Sequence, residues 1–204
     1  PMYKVIVLAA LALVGSVNAR ISGGQCGTPA LQANFDATKY TGTWFQAAKD
    51  KNSPFENGNC EQARYTINAD GTLRVFNSQY DNSTQEIITA DGTAWCNGPQ
   101  CAVKFFWFTP SADYRVMDTD YENYALIYAC NDVFLGSVDY VWLLTRAQNP
   151  EQQYIQKALS TLAERVPAFT PDNLSWTYQG PACQYYKDTP VSYTHLTLPT
   201  NREV

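Results

Sequence analysis

Between positions 42 and 146 apolar and polar residues alternate in short runs, and turn-forming residues separate the runs. A period of two marks a strand with one face buried. Gly42 to Lys51 reads as the first strand, followed by a loop carrying Pro54 and Gly58. Cys60 to Asn68 reads as the second, with Ala63, Tyr65 and Ile67 on one face. Ala69-Asp70-Gly71 is a hairpin turn, because Asp-Gly accepts the positive φ such turns need. Thr72 to Tyr80 then places Leu73, Val75 and Asn77 on one face and Arg74 on the other. Asp81-Asn82-Ser83 turns again, and Thr84 to Trp95 forms a strand or two, interrupted near Asp91-Gly92. Cys96 to Cys101 is a tight loop whose ends are expected to be bridged to each other.

The most aromatic stretch follows. Val103 to Phe108, Tyr114 to Met117 and Tyr121 to Cys130 read as three strands, divided by Thr109-Pro110-Ser111-Ala112 and by Asp118 to Asp120. Gly136 turns the chain into a last long strand, Ser137 to Arg146. A meander this apolar needs both faces covered. Eight strands at hairpin spacing, with no βαβ alternation, predict an all-β, eight-stranded antiparallel up-and-down barrel.

One helix is predicted after the strands. Tyr154, Ile155, Ala158, Leu159, Leu162, Ala163 and Val166 recur at helical spacing and give one apolar face. Asn149 is placed to cap it, Pro150 to occupy its first position and Glu151 to meet the positive end of its dipole; Pro167 stops it. The face must lie on the barrel exterior, so a C-terminal α-helix is expected packed on the outside. Leu174 to Tyr178 reads as a last short strand, and Cys183 ties the C-terminus back. Before the barrel, Arg20 to Lys39 is a polar arm held by Cys26, with Phe35 and Tyr40 tucked under the domain.

Composition narrows the classes. A net charge of −5 over 204 residues, with Lys and Arg scattered, excludes a nucleic-acid or anionic-membrane partner on electrostatic grounds. Aromatics are 14% of the chain, with 14 Tyr and 5 Trp, a surplus that points to a lined cavity. The chain has 6 Cys: Cys26, Cys60, Cys96, Cys101, Cys130 and Cys183. An even count behind a secretory leader argues for disulfides and no unpaired thiol, but spacing leaves the connectivity open. No CxxC pair occurs and the one His is His195, so no metal site, no cofactor and no Ser–His–Asp set is expected.

The two ends read differently from the middle. Met2 to Ala19 has the form of a secretory signal, with Lys4 at its charged start, Val5 to Val14 apolar and Val17-Asn18-Ala19 at the cleavage site. Residues 1–19 are therefore expected to be the signal peptide, with Pro1 read in from upstream, and the mature domain to span 20–190, secreted and extracellular. Gln25 before Cys26 argues against lipid anchoring, so no stable membrane anchor is expected. Residues 191–204, from Val191 to Val204, have no periodicity; they resemble a translated sequencing adapter and are expected to be disordered and not biological.

Three motifs carry a resemblance. Gly42-x-Trp44 opens the first strand, Thr119-Asp120-Tyr121 precedes the seventh and Arg146 ends the eighth. The chain thereby resembles the lipocalins. The longer runs from Phe55 to Tyr65 and from Thr119 to Tyr128 resemble one branch of that family, over about the whole of Cys26 to Cys183. The resemblance implies that Trp44 seals one end of the barrel beneath the Arg146 guanidinium. Gly42, Trp44, Thr119, Asp120, Tyr121 and Arg146 would then be structural residues of the barrel base. It also implies pairing of Cys26 with Cys130 and of Cys60 with Cys183, which leaves Cys96 with Cys101, a pair the branch lacks.

Calyx positions follow in the same way. Asn77, Phe105, Tyr114 and Trp142 match pocket positions of that branch, and Tyr65 is expected with them. Strand alternation adds Ala63 beside Tyr65, Val75 beside Asn77, Trp107 beside Phe105, and Tyr140 and Leu144 beside Trp142. Phe106, Thr109 and Arg115 depart from the branch, so pocket size and selectivity do not carry over. The implied function is a non-catalytic extracellular carrier of a small hydrophobic ligand: a fatty acid, steroid, retinoid, bilin or carotenoid. The alternatives are a pigment-binding subunit of an oligomeric assembly and a lipocalin-fold isomerase. A receptor or a homo-oligomer is left open. Asn82-Ser83-Thr84 and Asn173-Leu174-Ser175 are sequons, which makes Asn82 and Asn173 expected glycosylation sites.

Overall fold

The computed structural model describes residues 21–134 and 136–187. The expected signal peptide, the read-in Pro1 and the adapter-like tail lie outside the described residues, as does His195. A short β1 (Ile21–Ser22) and one turn of helix, α1 (Ala37–Tyr40), lead into β2 (Gly42–Asp50), β3 (Asn59–Ile67), β4 (Leu73–Asp81) and β5 (Glu86–Asn97). Then come β6 (Gln100–Lys104), β7 (Ala112–Thr119), β8 (Tyr124–Val133), β9 (Gly136–Thr145), α2 (Gln152–Arg165) and β10 (Leu174–Trp176). From β2 to β9 each strand pairs antiparallel with the next, and β9 pairs back onto β2. The eight-stranded barrel expected from the alternation is thus closed. β1 extends the edge of β9, and β10 that of β2.

Local chemistry explains the turns. Between β3 and β4, Gly71 takes φ +82° and its N–H donates to Asn68 O at 3.0 Å. Asp70 Oδ1 accepts from Thr72 N at 3.0 Å. Gly98, at φ +58°, gives the tight β5–β6 hairpin in which Cys96 faces Cys101.

Two expectations about strand breaks are corrected. The chain does not break at Asp91-Gly92; β5 runs through it for 12 residues. A Cβ on Gly92 would stand 2.8 Å from both Lys104 O and the Phe105 ring, so this glycine makes room for a ring and turns nothing. Val103 to Phe108 is not one strand either. β6 starts at Gln100, directly after the hairpin, and ends at Lys104, where Phe105 turns inward over Gly92.

α2 begins later than expected, with Glu151 at its N-cap. Its face of Ile155, Ala158 and Leu162 packs on the barrel exterior with Met117, Leu126, Tyr128, Val141 and Leu143. Ala163 is exposed; Thr161 is buried instead and donates to Asp118 Oδ2 at 2.9 Å. A second apolar cluster fills the lower barrel interior. Three disulfides join Cys26 to Cys130, Cys60 to Cys183 and Cys96 to Cys101. The second secures a seam: above Phe45 the strands β2 and β3 part, and the C-terminal segment lies between them. There Thr177 N donates to Ala47 O at 3.0 Å and Cys60 N to Tyr178 O at 2.9 Å.

Candidate functional site

One end of the barrel is plugged. Trp44 is 0% exposed, and its indole N–H donates to Tyr40 O at 2.9 Å. The Arg146 guanidinium carbon sits 3.7 Å above the Trp44 ring centre. Arg146 also donates to four carbonyls: Tyr121 O at 2.9 Å, Thr43 O at 2.9 Å, Lys39 O at 3.1 Å and Thr41 O at 2.8 Å. Gly42 is needed twice over, for φ +97° and because a Cβ would come 3.1 Å from Arg146 Nη1. Thr119 Oγ1 donates to Tyr124 O at 2.7 Å and accepts from Tyr121 N at 2.9 Å. Asp120 Oδ1 takes the N–H groups of Asn123 at 2.8 Å and Tyr124 at 3.1 Å. The motif residues of the base therefore build one hydrogen-bonded floor.

Above the plug the interior is solid for some distance. The Tyr114 hydroxyl bonds those of Tyr40 at 2.7 Å and Tyr65 at 3.0 Å, and burial pushes all three phenols up from their usual pKa. The space left among them, Phe35, Leu73 and Val75 is about 10 Å³, at the threshold for a single water. Tyr65, Val75, Tyr114 and Leu144 thus belong to the packed lower interior.

The upper barrel is different. Along β9 the outward residues Ser137, Asp139, Val141 and Leu143 are buried, while the inward Val138, Tyr140 and Trp142 are part-exposed. A strand that is wetter on its inner face lines a hollow. Ala63, Asn77 and Phe105 share that intermediate exposure. Trp107, expected beside Phe105 on the wall, is corrected: it lies in the β6–β7 loop and is 87% exposed, because β6 has already ended.

The hollow also carries polar groups. The loop between β2 and β3 folds over it, and Glu56 Oε2 accepts from Trp142 Nε1 at 2.6 Å. Register places Lys49 opposite Trp142, and its ammonium donates to Ser53 O at 3.3 Å, to Asn57 Oδ1 at 2.9 Å and to Phe55 O. Burial lowers the Lys49 pKa, against the pull of Glu61, Glu56 and Asp50. Glu61 is 3% exposed, and neither carboxyl oxygen has a hydrogen-bond partner. The Gly58 N–H and the Gln46 amide favour its charged form from nearby, but they are directed to Gln79 Oε1 at 2.9 Å and Thr177 Oγ1 at 2.8 Å. Burial, reinforced by the Glu56 charge, raises the Glu61 pKa to about 9. Asn77 Oδ1 is likewise buried without a partner.

Sequence reasoning missed Lys49, Glu56 and Glu61. For Glu61 the signal was present, since 61, 63 and 65 share one parity of β3. Its burial was not legible, because it depends on a loop and a C-terminal segment distant in sequence.

A family model for the lipocalin-like domain matches residues 35–179. The chain belongs to the lipocalin family. Within it, apolipoprotein D from Macaca fascicularis is 42% identical over 127 residues, covering 60% of this chain and 67% of that protein. This is the branch whose runs were matched at 55–65 and 119–128. The bilin-binding protein of Pieris brassicae is 30% identical over 150 residues, covering 69% and 78%. Among solved structures, insecticyanin from Manduca sexta superposes with a TM-score of 0.70 at 21% identity, over 82% of this chain and 93% of that one. Lobster apocrustacyanin A1 gives 0.63 at 21%, over 76% and 92%. These two show the same fold.

Proposed function

We propose that this lipocalin is an extracellular, non-catalytic carrier that holds one small hydrophobic molecule in the upper half of its barrel, above the tyrosine floor. The observation that carries this is the reversed burial along β9, part-exposed inside and buried outside. An apolar guest gains roughly 25 cal/mol per Å² of area withdrawn from water, and Ala63, Phe105, Tyr140 and Trp142 supply the wall. Steroids, retinoids, fatty acids, bilins and carotenoids fit that description. Relatives named for bilin binding and as an apolipoprotein support the reading.

The non-catalytic part rests on the chemistry available. All six cysteines are in disulfides, so no thiolate can act as nucleophile, and the described residues include no imidazole. Secretion rests on those disulfides and on the leader-like 1–19; no helix among the described residues is long and apolar enough to cross a membrane. The exposed Asn82 and the part-exposed Asn173 remain the proposed glycan sites.

Native mass spectrometry of protein from its natural source tests the reading. A stoichiometric small apolar molecule, released on unfolding, is expected. Protein that never carries one and does not take up an added retinoid or steroid would end the carrier proposal.

A further inference from the structure

The polar atoms facing the hollow do not balance. The Lys49 ammonium has three acceptors and Glu56 has the Trp142 N–H. Among the described residues, the fully buried side-chain atoms left without partners on this inner face are oxygens: both of Glu61 and Oδ1 of Asn77. They lie on neighbouring strands, since register sets Asn77 opposite Ala63, two residues from Glu61. A buried acceptor without a donor costs free energy that a guest can recover by supplying one.

We propose that the cargo is an apolar molecule bearing a hydroxyl group, held at its polar end by Glu61 and Asn77. This rests on the carrier reading and narrows it. A hydroxyl donates one hydrogen bond, to Asn77 Oδ1 or to the carboxyl C=O, and accepts another from the acid O–H of Glu61. A guest carboxylate fits badly: it brings two more acceptors and a negative charge to a place where the one ammonium is already spent. A guest ammonium fits badly for another reason, because it must share a buried site with the charge of Lys49 and force Glu61 to ionise. The burial that keeps Glu61 protonated near neutral pH agrees with a neutral partner.

Dodecanol, dodecanoate and dodecylamine, titrated at pH 7 against the full mature protein with tryptophan fluorescence as readout, separate the cases. Dodecanol is expected to bind about tenfold more tightly than either charged analogue. Glu61→Gln, which keeps a neutral donor and acceptor of the same shape, should retain that order. Glu61→Leu should erase it while still binding dodecane. Equal binding of all three head groups, tighter binding of the amine, or an unchanged alcohol preference in Glu61→Leu overturns the hydroxyl assignment alone. Failure of every C12 probe, dodecane included, overturns the carrier reading and the assignment with it.

Discussion

The indole N–H of Trp142 donates to Glu56 Oε2 at 2.6 Å, tying the inner wall of β9 to the loop between β2 and β3 across 86 positions of sequence. That loop is further held from below by Lys49, which bonds the carbonyls of Ser53 and Phe55 and the Asn57 amide oxygen. Cap and wall are therefore joined by hydrogen bonds. Glu56→Ala is expected to cost about 1–3 kcal/mol of stability, the range for leaving a buried donor, here the Trp142 indole N–H, without its partner. It should also shift the Trp142 emission to the red and speed the entry of an apolar probe. Unchanged entry kinetics would show that the loop does not gate the hollow.

The floor is separate from the hollow. Arg146→Met keeps the apolar stem over Trp44 but leaves four carbonyls without their donor. A loss of about 3 kcal/mol or more is expected in urea unfolding. Affinity for a bound guest should change by less than about twofold, since the tyrosine layer intervenes.

Glu61 makes stability depend on pH. Its folded value of about 9 lies above the ordinary 4.5, so between these pH values the folded chain holds a proton that the unfolded chain has released. Stability from this group is therefore full below about pH 4.5 and falls as pH rises toward 9, by at most about 1.4 kcal/mol per pH unit. Glu61→Gln removes that slope. Its Tm should exceed that of the parent at pH 8, with the gap closing near pH 4.5; parallel Tm curves would contradict a buried, neutral Glu61.

The disulfides should differ in weight. Cys60 and Cys183 are 123 residues apart, Cys96 and Cys101 only 5. In the chain-entropy account, paired Ser substitutions cost about 5 kcal/mol for the long loop and about 2 kcal/mol for the short one. Removing the long bridge also frees the segment wedged between β2 and β3, so guest affinity should fall for that variant and not for the other.

Gly92→Ala tests the close approach of Phe105. The added Cβ meets a backbone oxygen and a ring at 2.8 Å, so overpacking of about 1–3 kcal/mol is expected, with Phe105 displaced into the hollow. Weaker binding of a bulky apolar guest should accompany it.

The strands, their order and the outer helix were legible because alternation, turn residues and helical spacing are local properties of the chain. Asp70-Gly71 and Gly98 turn as their backbone freedom requires, and Ile155, Ala158 and Leu162 form the face expected of them. Asp91-Gly92 deceived, since a glycine that opens a turn and one that admits a ring look alike in one dimension. Phe105 and Trp107 share a parity, but parity means something only while the strand lasts, and pairing with β5 and β7 decides where β6 stops. The barrel itself was thus written in the sequence, and the motif residues Gly42, Trp44 and Arg146 pointed to its plugged end through the family resemblance. Tertiary structure alone divided the interior into a tyrosine-filled floor and a hollow mouth, and enclosed Lys49, Glu56 and Glu61 there. Filling and desolvation depend on side chains that arrive from distant parts of the chain, and no local pattern encodes which of them meet.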